Sequence, residues 1–359
     1  MKATAKLHDL GQSLWLDNIT RDLLKSGTLK KYIDELSVTG LTSNPTIFEH
    51  AFKNSTLYDD SIRKKAGSAV EPLFFDLAIE DLTAAADLFK QVYDRTNGLD
   101  GWVSLEVSPT LANDTKNTIA AAKMLWAKAA RPNLYIKIPG TPEGLPTIEE
   151  AIFSGVPVNV TLLFSREQYL AAADAYLKGV ERRIKAGLNP HVSSVASVFI
   201  SRWDGAVAGK VPAELTNKLG LAIGKRIYKS YCEYLASARV RRVCNYGAIP
   251  QRLLWASTGT KDPKASDTLY IGGLASPFTV NTMPEATLKA MADHGEVGGL
   301  LPADGGDCEQ VLAAFTKAGI DLNALAAKLQ VDGAASFVKS WESLIAGLGA
   351  KVGGKPVSV

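Results

Sequence analysis

The sequence predicts a single-domain closed (β/α)8 barrel of the TIM type with additional helices, and three observations predict it. Eight strand-like runs alternate with helical segments along the 359 residues, the pattern of a parallel sheet covered by helices. The turn after the first run reads Asp17-Asn-Ile-Thr20 and lacks the glycine fingerprint that opens a doubly wound sheet, the competing architecture. No shift in composition marks a domain boundary. Residues 1–348 therefore read as one barrel, followed by a Gly/Lys-rich tail at 349–359 that is expected to fray.

Ser13-Leu-Trp-Leu-Asp17 is the first strand, and 21–36 is mostly helix-forming. Ser37-Val-Thr-Gly-Leu-Thr-Ser-Asn44 is the second strand, and Pro45 suits the first position of a helix, where its missing N–H has no partner to lose. Residues 55–97 read as one long helix with apolar positions at Leu73, Leu77, Ile79, Leu82, Ala86 and Phe89. Trp102-Val-Ser-Leu-Glu-Val107 is the third strand and 115–129 an alanine-rich helix. The fourth strand is Leu134-Tyr-Ile-Lys-Ile138, a β-branched and aromatic run stopped by Pro139, followed by a short amphipathic helix at 145–154.

Val156-Pro-Val-Asn-Val-Thr-Leu-Leu-Phe164 is the fifth strand. Ser165 and Gln168 then form a capping-box pattern for a helix that ends near Gly187. Residues 192–200 make the sixth strand and 215–238 a long helix. Arg252-Leu-Leu-Trp-Ala-Ser257 is the seventh strand, and Thr268-Leu-Tyr-Ile-Gly-Gly-Leu274 is expected to be the eighth. Helices at 284–292, 310–318 and 334–348 close the barrel region.

Forty basic and 37 acidic residues leave a net charge of +3, which gives no reason to expect nucleic acid or a membrane surface; anion binding has to be local. With 46% hydrophobic and 21% charged residues the chain has ample material for a large core. Three cysteines, Cys232, Cys244 and Cys308, without a CxxC pair, argue against a disulfide framework or zinc site and suit a reducing cytoplasm. The four histidines lie far apart, so no histidine metal site is expected. Neither a signal peptide nor a transmembrane helix is expected, since no apolar stretch is long enough.

Alternation along the fourth strand puts Leu134, Ile136 and Ile138 on one face and Tyr135 and Lys137 on the other. Desolvating an ammonium is costly, so a buried lysine tends towards its neutral form, the form that attacks a carbonyl to make a Schiff base. A lysine that snorkels out or pairs with a carboxylate is the structural account of the same residue. The other strand ends shift the balance. Asp17 ends the first strand, Asn44 the second, and Glu106 lies on the third. Asn159 and Thr161, two apart, share a face of the fifth; Ser197 lies on the sixth with Arg202 beyond it, and the seventh leads through Ser257 towards Lys261. Each alone has a structural account: Asp17 and Asn44 as helix caps, Ser197 as a satisfied core hydroxyl, Glu106 as the partner of Lys137. Buried structural strands would be nearly pure Val, Ile and Leu, and seven strands departing together is harder to explain that way. One lysine, two carboxylates and a set of amides and hydroxyls suit imine formation on a polyhydroxy carbonyl compound.

Tyr135-Ile-Lys-Ile-Pro139, Asn159-Val-Thr-Leu-Leu-Phe-Ser165, Thr42-Ser-Asn-Pro45 and the Asp17 strand closely resemble transaldolase, in order, from about residue 10 to about residue 345. Arg252-Leu-Leu-Trp-Ala-Ser-Thr-Gly259 and Tyr270-Ile-Gly-Gly273 resemble the longer-chain branch of that family. The resemblance implies cofactor-free transfer of a dihydroxyacetone unit from a ketose phosphate (sedoheptulose 7-phosphate or fructose 6-phosphate) to an aldose phosphate (glyceraldehyde 3-phosphate or erythrose 4-phosphate), in the non-oxidative pentose phosphate pathway. By that likeness Lys137 forms the Schiff base and Asp17 is the acid/base at the C4 hydroxyl. Glu106 and Thr161 position a water that relays protons, Asn44, Asn159 and Ser197 hold substrate hydroxyls, and Arg202 holds the phosphate.

Two departures stand out. The sixth-strand motif reads Ser197-Val-Phe-Ile-Ser-Arg202 where many members have SerProPheValGlyArg, with the serine-to-arginine spacing kept. The second phosphate-binding arginine, expected in a SerPheArg after the seventh strand, is replaced by Ser257-Thr-Gly-Thr-Lys261, which makes Lys261 the substitute candidate. A cytoplasmic enzyme, monomeric or homodimeric, is expected. The rival readings are an aldolase that releases free dihydroxyacetone from the same lysine, and a non-catalytic sugar-phosphate-binding barrel.

Overall fold

A computed structural model of the chain describes residues 1–65 and 67–353. Its strands are β1 (Gln12–Asp17), β2 (Val38–Thr42), β3 (Val103–Glu106), β4 (Leu134–Pro139), β5 (Val158–Leu163), β6 (Ser194–Phe199), β7 (Arg252–Ala256) and β8 (Thr279–Met283). They are parallel, follow one another in sequence order and close into a barrel when β8 pairs with β1. Helices precede and follow the strands as the predicted alternation requires.

One expected strand is wrong. Residues 269–273 form a short helix, Leu269–Gly273, and the eighth strand is Thr279–Met283. After Thr268 the run to Leu274 has no charged or strongly polar residue, and such a run carries no periodicity to separate strand from helix. The true β8 reads Thr-Val-Asn-Thr-Met because its polar side chains are buried and paired within the barrel: Gln12 Nε2 donates to Thr279 Oγ1 at 3.0 Å, and Thr258 Oγ1 to Asn281 Oδ1 at 3.0 Å. It therefore looked like a loop.

Two expected helices are divided. The 21–36 helix breaks into Arg21–Lys25 and Thr28–Leu36 at Gly27, whose φ of +76° lies in the left-handed region that glycine enters without penalty. The 55–97 helix is instead Asp59–Lys64 and Val70–Arg95, with Gly67 at φ +86° between them. Short helices at Ala3–Asp9, Ser201–Val207 and Ala238–Asn245 were not anticipated. The last helix runs Leu322–Val352, so residues 349–352 belong to it; 354–359 of the expected tail lie outside the described residues.

The lower lumen is filled by aromatic rings. Trp102 stacks on Tyr135 with centroids 4.0 Å apart, and Trp15 packs at 6.1 Å on the other side. A Cβ on Gly40 would lie 2.7 Å from the Trp15 ring, so β2 has to pass here as glycine. Beneath the rings, Arg252 donates to Leu99 O (2.9 Å), Ser13 Oγ (2.7 Å) and Thr279 O (2.9 Å), while Asp100 accepts from Ser13 Oγ and from Trp15 Nε1 (2.8 Å). This polar, aromatic plug closes the N-terminal end of the barrel and leaves the C-terminal end for chemistry.

The Leu322–Val352 helix lies over that C-terminal end. Gln330 Nε2 donates to Gly140 O (3.1 Å) and Leu162 O (3.0 Å), beside the ends of β4 and β5. Leu162 sits at φ +60° where β5 breaks register with β6, which turns its carbonyl out of the ladder and towards Gln330. Farther along, Ser340 accepts from Thr46 Oγ1 at 2.9 Å and Trp341 packs edge-on against Phe74 at 4.9 Å.

Candidate active site

A cavity of about 330 Å3 opens at the C-terminal end of the barrel. Asp17, Asn44, Lys137, Ser197, Arg202 and Lys261 line it. Glu106, Asn159 and Thr161 do not; they are buried around the lysine.

Lys137 is 5% exposed, the inward position that strand alternation requires. In register it has Glu106 of β3 on one side and Asn159 of β5 on the other. Its Nζ donates to Ser43 O at 3.1 Å and lies 3.1 Å from Glu106 Oε2, an ion pair not aligned as a hydrogen bond. The face of the Phe337 ring, from the last helix, is 5.5 Å from the same Nζ. Burial pushes the Glu106 carboxyl above its ordinary value; the Lys137 charge pulls it back, and Asp17 adds to the rise. Neither Glu106 oxygen nor Thr161 Oγ1 has a hydrogen-bonding partner among the described residues.

Asp17, at the end of β1, accepts from Thr42 Oγ1 at 2.7 Å, and Thr42 is in turn 2.7 Å from Thr282 Oγ1. Desolvation pushes the Asp17 carboxyl up, against the pull of Lys137, Thr42 and Lys261. Ser197 Oγ donates to Asn159 Oδ1 at 2.7 Å, and Asn159 Nδ2 donates to Ser104 Oγ at 3.1 Å, which fixes the orientation of the amide. Asn44 combines two tasks. Its Oδ1 caps the Pro45–Asn54 helix by accepting from Ile47 N at 3.1 Å, while the residue lines the cavity.

Arg202 is half-buried at the cavity wall, its guanidinium carbon 5.2 Å from the centre of the Phe199 ring. No carboxylate among the described residues lies within ion-pair distance of it. The neighbouring Asp204 accepts from Leu219 N (2.9 Å), Gly220 N (3.0 Å) and Tyr270 Oη (2.8 Å) instead. Burial lowers the pKa of Arg202 from its ordinary value, consistent with a desolvated cation that lacks a counter-charge. Lys261 is exposed at the same mouth.

The family described as Transaldolase/Fructose-6-phosphate aldolase matches residues 14–348. The chain belongs to that family. A protein named transaldolase from Saccharopolyspora erythraea is 44% identical over 351 residues, covering 94% of each chain. One from Thermobifida fusca is 45% identical and covers 95% of each. One from Thiobacillus denitrificans is 41% identical over 97% of this chain and 100% of its own length.

Several residues of this transaldolase-family site were not found from sequence. Ser104 carried a usable signal, being two residues before Glu106 and so on the same inward face. Thr42 and Ser43 lay inside a quoted motif but act through a hydroxyl and a carbonyl that no pattern singles out. Phe337 had no signal at all, since only packing of the last helix brings it to Lys137. Among the described residues no group of three His, Cys, Asp or Glu side chains could hold a metal ion, and no helix is long and apolar enough to cross a membrane.

Proposed function

We propose that this enzyme transfers a dihydroxyacetone unit between sugar phosphates through a Schiff base on Lys137. The observation that carries the reading is the placement of one ammonium beside the cavity, between a buried carboxylate and a backbone carbonyl, with a second carboxyl, Asp17, on the same cavity. Glu106 takes a proton from the Lys137 ammonium, and the freed amine attacks the C2 carbonyl of the ketose. Glu106 returns that proton as water leaves, and a protonated imine remains. Asp17 then accepts the C4 hydroxyl proton as the C3–C4 bond breaks, and the bonding pair moves into the imine, giving an enamine and a free aldose phosphate. The enamine attacks the acceptor aldehyde, Asp17 returns the proton to the new alkoxide, and water hydrolyses the imine. A carboxyl pushed upwards by burial holds a proton more tightly than one in water, which suits a group that accepts a proton and returns it.

Glu106 is ion-paired with Lys137, but its oxygens and Thr161 Oγ1 accept no hydrogen bond among the described residues, which supports their proposed role in holding the proton-relaying water. Asn44, Asn159 and Ser197 hold substrate hydroxyls in this reading. Arg202, without a carboxylate partner, takes the phosphate, and Lys261 adds a second, more mobile charge at the mouth. We place the enzyme in the cytoplasm, working as a monomer or homodimer without a cofactor; the three free cysteines suit that compartment.

Borohydride reduction in the presence of fructose 6-phosphate, followed by peptide mass spectrometry, tests the mechanism. The expected result is a three-carbon or hexose-phosphate adduct on Lys137, absent from a folded Lys137→Ala variant that has also lost nearly all turnover. An adduct on another lysine with Lys137 unmodified would overturn it.

A further inference from the structure

Glycine is a poor helix former, yet Gly333 lies in the interior of the 31-residue Leu322–Val352 helix. Its surroundings give the reason. A Cβ there would sit 3.0 Å from Leu162 Cδ2 and 3.2 Å from Arg202 Nη1, both closer than side-chain carbons ordinarily approach. Gly347 in the same helix has open space at the corresponding point, so crowding at Gly333 is not a property of the helix as a whole.

The Arg202 guanidinium thus lies with the Phe199 ring 5.2 Å from its carbon and a bare stretch of helix against Nη1. No carboxylate among the described residues pairs with it. Gln330, Gly333 and Phe337 are spaced i, i+3 and i+7 and so share one face of the helix. On that face Gln330 pins the helix to Gly140 O and Leu162 O, Gly333 borders Arg202, and Phe337 faces Lys137.

We propose that Gly333 is a positioning residue for substrate specificity: its missing side chain is the slot that sets Arg202 over the cavity, and it makes the last helix part of phosphate recognition. The inference rests on the reading that Arg202 binds the substrate phosphate. Filling the slot displaces the guanidinium by a few tenths of an ångström in Gly333→Ala and farther in Gly333→Leu. The phosphate contact weakens while Lys137 and Asp17 stay in place.

Steady-state kinetics with fructose 6-phosphate and with unphosphorylated fructose, each with unphosphorylated erythrose as acceptor so that sedoheptulose forms from both, decides it. The variants are Gly333→Ala, Gly333→Leu, Gly347→Ala as a control and Arg202→Ala as a reference. KM for fructose 6-phosphate is expected to rise about threefold in Gly333→Ala and tenfold or more in Gly333→Leu, the scale of a weakened charge-assisted contact. kcat with that sugar and kcat/KM for fructose should stay within about twofold. Gly347→Ala should change neither and should melt no lower than the wild type, because alanine is the better helix former, whereas in Gly333→Ala that gain is set against the contact with Leu162 and Tm should stay close to the wild type. A purely structural role for Gly333 would appear as equal losses on both sugars, or as a lower Tm without the KM change, and either result overturns the proposal. If Arg202→Ala shows a phosphate-dependent loss and the Gly333 variants do not, only the role of Gly333 falls. If Arg202→Ala loses equally on both sugars, the assignment of Arg202 falls and this inference goes with it.

Discussion

Asp17 and Glu106 share one ammonium, and both are pushed upwards because desolvation outweighs its pull. For Asp17 this has a consequence for stability. A carboxyl whose folded pKa exceeds its unfolded value stabilises the fold in its protonated form. That contribution is complete below the ordinary value of 3.8 and is lost as pH rises through the folded value. Asp17→Asn removes the titration while keeping an oxygen to accept from Thr42 Oγ1. Relative to wild type, the variant should be no more stable near pH 3.8 and progressively more stable as pH rises above it. Turnover should fall roughly 10²–10⁴-fold, while the borohydride adduct on Lys137 still forms. Denaturation at several pH values, paired with trapping, checks both halves. A variant less stable than wild type at neutral pH would mean that Asp17 chiefly compensates the Lys137 charge.

At the scale of elements the last helix decides most. The turned-out carbonyl of Leu162, at φ +60°, and the carbonyl of Gly140 both depend on Gln330 Nε2. Gln330→Leu leaves two buried acceptors without their donor and is expected to destabilise the protein by roughly 2–4 kcal/mol, the cost of unsatisfied buried groups. Turnover should fall as well, because Phe337 lies on the same helical face. Urea denaturation measures the first effect, and a loss below about 0.5 kcal/mol would show that both carbonyls find other partners. The strands teach the complementary lesson. Leu134–Pro139 and Arg252–Ala256 were legible because their outward residues are apolar, whereas β8 was not, because its buried threonines and asparagine make it read as a loop.

Across the whole molecule the two ends of the barrel divide the labour. The N-terminal end holds the Trp15, Tyr135 and Trp102 rings over the Arg252, Ser13 and Asp100 network; the C-terminal end holds the cavity. Arg252→Met should therefore cost stability, on the order of 3 kcal/mol, since two buried acceptors, the part-buried Leu99 carbonyl and a nearby carboxylate lose their cation. KM for either substrate should stay within about twofold of wild type in the protein that remains folded. Comparing Tm with steady-state kinetics separates the two effects, and a large KM change would show that the plug also shapes the site.

The sequence by itself determined the barrel, the face of the fourth strand that Lys137 takes, the shared face of Asn159 and Thr161, and the family likeness, because each rests on alternation within a strand or on a contiguous motif. Tertiary structure alone decided which strand closes the barrel, that Arg202 has no carboxylate partner among the described residues, and that a helix roughly 200 residues beyond Lys137 supplies Phe337 and Gly333 to the site. The physical reason is that alternation fixes only the face a side chain takes. Distances between groups far apart in the chain are set by how elements pack, and that packing depends on the summed contacts of the whole core.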